Sequence, residues 1–261
     1  MITWGISANS HDAALAVFEN NSIVFASHTE RFSGKKNDPH LNTEIIEHAQ
    51  QWGLPDQIAW YEKPWLKTLR QLYARQGLKY RKNDIKNYLR RWNIKCPVTT
   101  IEHHKSHAAA GYYTSLFDTA TVLVIDAIGE FTTLSIWEAK DNELKCKHKT
   151  YYPNSIGLWY SAFTQRLGLK PNEDEYILMG MAAYGRPTYK QQILETFFNY
   201  DELLTKYWFS FPKIKSKHNL HRGCMWWEPT QKAFDIINGQ QVFTQWAVSY
   251  THLTLPTNRE V

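Results

Sequence analysis

The stretch ATVLVIDAIGEFTTLSIWEA, residues 120–139, decides the fold. It reads as two β-strands around a polar turn, with Asp126 closing the first strand and Gly129, Glu130, Thr132 and Thr133 filling the turn. The run Val122–Ile125 is wholly apolar, which predicts a strand buried on both faces. LKCKHKTYY, 144–152, continues the meander as a third strand. The same order occurs at the start of the chain. ITWGISA (2–8), AALAVFE (13–19) and SIVFASH (22–28) read as three strands, the last two joined at the turn-forming pair Asn20-Asn21. A strand meander followed by helices, met twice, predicts two related lobes with a ligand in the cleft between them.

Between the meanders, residues 42–54 have a helical period through Ile45, Ile46, Ala49 and Trp52, and QIAWYEK (57–63) reads as a strand. From Lys63 to Lys95 there are eleven Lys and Arg against one acid, Asp84. Trp65, Leu69, Leu72 and Tyr73 share one helical face there, and Ile85, Tyr88, Leu89 and Trp92 share another. Gly77 separates them, so a helical hairpin is expected, its basic residues mostly off the apolar faces and solvated. The remainder of the chain carries nineteen basic and twenty-four acidic residues, so the net charge of +5 comes from this one segment. No nucleic-acid motif accompanies it, and the sequence therefore disfavours a nucleic-acid partner, although an RNA-interacting surface is the competing reading.

The 261 residues, 43% hydrophobic, suffice for one large domain or two ordinary ones. Three scattered cysteines, Cys96, Cys146 and Cys224, build no disulfide framework, which fits a reducing cytoplasm. No signal peptide, membrane span or membrane partner is expected.

Four motifs carry chemistry. In GISANSHDAAL (5–15) a strand ends in a small, polar loop that presents His11 and Asp12. His11 is placed to act as a general base, or Asp12 simply caps backbone donors in a hairpin. The Asp126–Thr133 turn offers a carboxylate, a glycine for close approach and hydroxyls to donate, or it is an ordinary hairpin turn. In IEHHKSHAAAGYY (101–113), His103 and His107 are one helical turn apart and could share a metal ion; so could His104 and His107. A zinc-protease HExxH motif would need Glu where His104 stands. In EDEYILMGMAAYGRP (173–187), Glu175 leads into small residues suited to tight packing or to backbone contact with a ligand, and GLWYSAFTQRLG (157–168) reads as a helix before it.

Taken together and in order, SHDAALAVFEN, ASHTERFSGKKND, YEKP, EHHKSHAAAGYYTS, VIDAIGEFTTLSIW, YPNSIGLWYSAFTQRLG and EDEYILMGMAAYG resemble the NodU/CmcH-type O-carbamoyltransferases across roughly residues 2–190. The resemblance implies an α/β, actin-like (ASKHA, ribonuclease H-like) fold. The expected organisation is a first lobe over 1–118 with the basic insert at 63–95, and a partial second lobe over 119–247. It implies carbamoyl transfer from carbamoyl-adenylate, made from carbamoyl phosphate and ATP by a YrdC-like domain later in such chains, to a hydroxyl of a sugar or other small molecule. The two-histidine metal motif falls on His103 and His107, with Fe²⁺ the implied ion. The His-Asp loop falls on His11 and Asp12, and the nucleotide or carbamoyl turn on Asp126, Gly129, Glu130 and Thr132. A third metal ligand, expected to be a carboxylate, and the YrdC-like domain are expected beyond the part present here, so the fragment alone is expected to be inactive. SYTHLTLPTNREV (249–261) fits no family pattern, and a foreign, adapter-derived tail is expected from about Val248. Another ASKHA kinase or ATPase is the alternative, disfavoured by the two histidines.

Overall fold

A computed structural model describes residues 1–74, 76–152, 154–167, 169–171, 173–191, 198–199 and 204–205. The chain forms two compact units. The first holds Met1–Val122, Gly129–Phe131 and Glu138–Lys145, and the second holds Leu123–Ile128, Thr132–Trp137 and the residues from Cys146 onward.

In the first unit, β1 (Ile2–Ser7), β2 (Ala14–Glu19) and β3 (Ser22–His28) form the expected antiparallel meander. Asn20 and Asn21 both take left-handed φ, 48° and 70°, which suits the two-residue turn that matches strand twist. β4 (Gln57–Trp60) lies parallel to β1, and β5 (Val98–Thr100) parallel to β4. The order β3-β2-β1-β4-β5 is the ribonuclease H-like arrangement of an actin-like lobe. The fold is thus mixed α/β, as the motifs imply.

Alternation along these strands sets the core. Trp4, Ile6, Leu15, Val17, Ile58 and Trp60 point inward and are fully buried. A short helix, α1 (Glu30–Ser33), follows β3, and α2 (Thr43–Gln50) then packs on β2 and β3 through Ile45, Ile46 and Ala49. Asn42 caps α2 by accepting from the Ile45 N–H at 3.0 Å. Gly53, with φ at 118°, turns the chain towards β4; a Cβ there would lie 2.3 Å from Ile2 Cδ1.

The basic segment forms α3 (Pro64–Tyr73) and α4 (Ile85–Leu89). The apolar face of α4 is buried as expected, with the Tyr88 ring edge-on to Trp60 at 5.8 Å. The face of α3 is not. Trp65, Leu69, Leu72 and Tyr73 are exposed, while Lys67, Thr68, Arg70 and Gln71 are buried. Buried polar partners, described below, hold the helix in this rotation.

α5 (His103–Tyr113) follows β5. β6 (Thr119–Ile125), β7 (Thr132–Lys140) and β8 (Glu143–Tyr151) form a three-stranded sheet in that order, with a second left-handed pair, Asp141 and Asn142, between β7 and β8. The expectation that β6 is buried on both faces is corrected. Among the described residues β6 lies at the edge of its sheet and its side chains alternate, so Val124 is buried while Leu123 and Ile125 are about half exposed.

In the second unit, α6 (Ile156–Arg166) buries Leu158, Trp159, Ala162 and Phe163, and α7 (Glu175–Ala182) packs against it. The Ser161 hydroxyl donates to Glu175 at 2.6 Å. No described helix is long and apolar enough to cross a membrane. The suspected foreign tail lies outside the described residues.

Candidate functional site

Helix α5 presents the histidine pair. Residues four apart lie one turn apart on the same face, and the Nε2 atoms of His103 and His107 stand 3.0 Å from each other. An ion about 2.1 Å from each nitrogen, binding them at a right angle, would set them about 3.0 Å apart. The donor set and its spacing therefore fit a divalent metal ion. His104 points elsewhere and is fully buried.

The start of α5 is fastened by Glu130. Its own N-cap residue, Glu102, makes no side-chain cap bond. Instead the Glu130 carboxylate accepts from the His103 N–H at 3.2 Å and from the Lys63 N–H at 2.7 Å. Two otherwise orphaned backbone donors are thereby satisfied, and a negative charge meets the positive end of the helix dipole. Glu130 is almost wholly buried, and that burial pushes its carboxyl above the usual range, against the opposing pull of the two N–H groups. Gly129 permits the close approach. A Cβ there would lie 2.9 Å from His104 Cδ2 and 3.1 Å from His103 Cδ2.

The first unit also carries the His11–Asp12 loop. His11 Nδ1 lies 2.8 Å from the Asp12 carboxylate, and both side chains are exposed. The loop needs left-handed backbone at Asn9 and Asp12, with φ of 68° and 47°. It is held by the Asn9 N–H to the Pro39 carbonyl at 2.8 Å and the Ala13 N–H to the Asp38 carbonyl at 2.7 Å. Beneath it, Lys67 Nζ donates to the Asn9 carbonyl at 3.1 Å and to Glu62 at 2.6 Å. The Glu62 and Lys67 side chains are only 7% and 6% exposed. Sequence reasoning passed over this pair, because Lys67 reads there as one more cation in a basic run. The acid standing just ahead of that run was the available signal.

The remaining sequence-predicted residues, Asp126 and Thr132, belong to the second unit. The Asp126 N–H donates to the Thr133 carbonyl at 3.0 Å, and its Oδ1 accepts from the Ala127 N–H at 2.6 Å. The turn is braced by α6. Ser155, the N-cap of that helix, donates to the Ala127 carbonyl at 2.7 Å and accepts from the Leu158 N–H at 3.0 Å. Gly157 allows the contact, since a Cβ there would lie 2.7 Å from Ala127 Cα. Thr132 is buried at the start of β7, and Thr133 Oγ1 donates to the Thr150 and Asn154 carbonyls.

The first unit is thus a mixed α/β lobe with a histidine pair on the helix that follows its fifth strand. The sequence profile described as "Carbamoyltransferase N-terminus" matches residues 61–233, and the chain belongs to that family. It is 37% identical over 221 residues to the uncharacterized protein sll1178 of Synechocystis, covering 73% of this chain and 36% of that one. It is 26% identical over 203 residues to the nodulation protein NolNO of Sinorhizobium fredii, covering 72% of this chain and 30% of that one. The chain thus spans about a third of the length of these curated relatives. Among solved structures, YeaZ from Pseudomonas aeruginosa aligns with a TM-score of 0.37 at 8% identity, over 58% of this chain and 67% of its own.

Proposed function

We propose that the chain is the amino-terminal part of an O-carbamoyltransferase, which moves a carbamoyl group from carbamoyl-adenylate to a hydroxyl of a sugar or other small molecule. Carbamoyl-adenylate would be made from carbamoyl phosphate and ATP by a YrdC-like domain of the complete protein. The observation that carries the reading is the convergence of His103 and His107 at 3.0 Å, on a helix inside the family-matched residues.

The reaction needs a base, an orienting frame and a place for developing negative charge. His11 supplies the base. Asp12 accepts from Nδ1, which fixes the ring and leaves Nε2 to take the proton of the acceptor hydroxyl. The hydroxyl oxygen then bonds to the carbamoyl carbon, the carbon–oxygen bond to the phosphate breaks, and AMP leaves with that electron pair. His103 and His107 would hold a divalent ion, and the further carboxylate such a site requires is expected from the remainder of the complete protein. When bound, the ion supplies Lewis-acid polarisation of the carbamoyl oxygen and charge neutralisation of the phosphate. Glu130 and Gly129 serve by fixing the first turn of α5, so that the two imidazoles are held in register.

The test uses the full-length gene product with ATP, carbamoyl phosphate and a panel of hydroxyl acceptors. Replacing His103 and His107 together by Ala is expected to abolish carbamoyl transfer. Unchanged turnover in that double variant would remove the metal assignment, and unchanged turnover in His11→Ala would remove the base.

A further inference from the structure

Helix α3 turns its polar side chains inward and its apolar ones outward. Trp65, Leu69 and Leu72 are 59%, 49% and 52% exposed, at positions that line up along one side of the helix. The helix cannot roll to hide them. Lys67 is tied to Glu62 and to the Asn9 carbonyl, and Asn83 Nδ2 donates to Thr68 Oγ1 at 2.8 Å and to Gln71 Oε1 at 3.0 Å. Rotation would strand a buried carboxylate and a buried amide. The outward stripe is therefore fixed by the polar floor under it, and Leu78 and Tyr80, in the connection to α4, are exposed as well.

A cavity of about 540 Å³ opens beside the start of α3, lined by Trp65, Thr68, Tyr80, Asn83, Lys86 and Arg90 among others. Its size suits a small ligand or a headgroup. Arg81 and Lys82 stand exposed next to Tyr80. The one acid of the segment, Asp84, also lines the cavity, and its carboxylate accepts from the Asn87 N–H at 3.2 Å as the cap of α4.

We propose that this face docks on an anionic lipid bilayer, a membrane partner that the sequence alone does not predict. The Trp65–Leu69–Leu72 stripe enters the headgroup–acyl boundary, and the cavity receives a phosphate-bearing headgroup between Lys86 and Arg90. A phospholipid surface satisfies both halves of the face at once, apolar stripe and cationic border. Single-stranded nucleic acid would occupy the cations and stack on Trp65 and Tyr80, but would leave Leu69, Leu72 and Leu78 without partners. A second copy of the chain set two-fold on the same face would bring like-charged borders together. At ten residues, α3 lies on a bilayer and does not span it.

The test is co-sedimentation of the 261-residue chain with vesicles of phosphatidylcholine alone and of phosphatidylcholine mixed with phosphatidylglycerol. Wild type is expected to bind the mixed vesicles about tenfold more tightly than the neutral ones. Trp65→Ser with Leu69→Ser, and separately Lys86→Glu with Arg90→Glu, are each expected to weaken that binding about tenfold. Should the first variant misfold, the charge-reversed one still decides. Free inorganic phosphate is expected to leave vesicle binding intact. Binding that both variants retain, binding that phosphate or an RNA oligonucleotide abolishes, no preference for anionic vesicles, or a wild-type dimer that the stripe variant splits would each overturn the proposal. So would displacement from vesicles by the carboxy-terminal remainder of the Synechocystis relative supplied in trans.

Discussion

Tyr88 shows how one residue can tie two elements together. Its ring packs between Trp60 and Trp92, and its hydroxyl accepts from the Leu41 N–H at 2.8 Å. Burial pushes the phenol up to about 12. The neutral phenol is the form the fold favours, so its contribution is complete below the ordinary value of 10.0 and is lost as pH rises from there towards about 12. Urea unfolding between neutral and alkaline pH should show that loss in wild type and a reduced one in Tyr88→Phe. At neutral pH the same variant should be less stable by about 1 kcal/mol, for the unpaired Leu41 N–H. Glu130 makes a second residue-scale prediction. Glu130→Ala strands the N–H groups of Lys63 and His103 and should cost about 2 kcal/mol, while Glu130→Gln keeps an acceptor and should cost less. Equal unfolding midpoints for the two variants would contradict the capping role. At this scale the sequence named Glu130 but not its task, because a cap supplied from twenty-seven residues away leaves no local spacing to read.

Helix α3 separates pattern from placement. Its period is plain in the sequence, and so is its apolar stripe, yet the stripe faces out. Periodicity tells which residues share a face; it does not tell which face the rest of the molecule can satisfy. Here a buried lysine, tied to Glu62 and to the Asn9 carbonyl fifty-eight residues away, and Asn83, whose two acceptors lie twelve and fifteen residues back, decide. Leu69→Ser should therefore change stability by no more than about 0.5 kcal/mol. Lys67→Met should cost about 3 kcal/mol, since it leaves Glu62 buried and unpaired. Thermal or urea melts giving the reverse order would show that the helix is rotated. For α6, Gly157→Ala should push that helix off the Asp126–Ala127 turn, and it should destabilise the protein more than Gly180→Ala, whose Cβ would meet nothing within 4 Å.

At the scale of the molecule, the alternating strands and paired turn residues were legible, because alternation and left-handed turn pairs are local signals. β2, β3 and the turn at Asn20-Asn21 fall where the sequence puts them. The open face of β6 was not legible, since an edge strand and a central one can carry the same apolar run. The histidine pair was visible as a spacing, and its meaning came from the order of motifs around it. Metal binding by the chain itself is the most direct test of the central claim. Under anaerobic equilibrium dialysis against iron(II) or cobalt(II), wild type should retain one ion per chain, and His103→Ala with His107→Ala should retain none above background. Equal retention by wild type and the double-histidine variant would contradict the account.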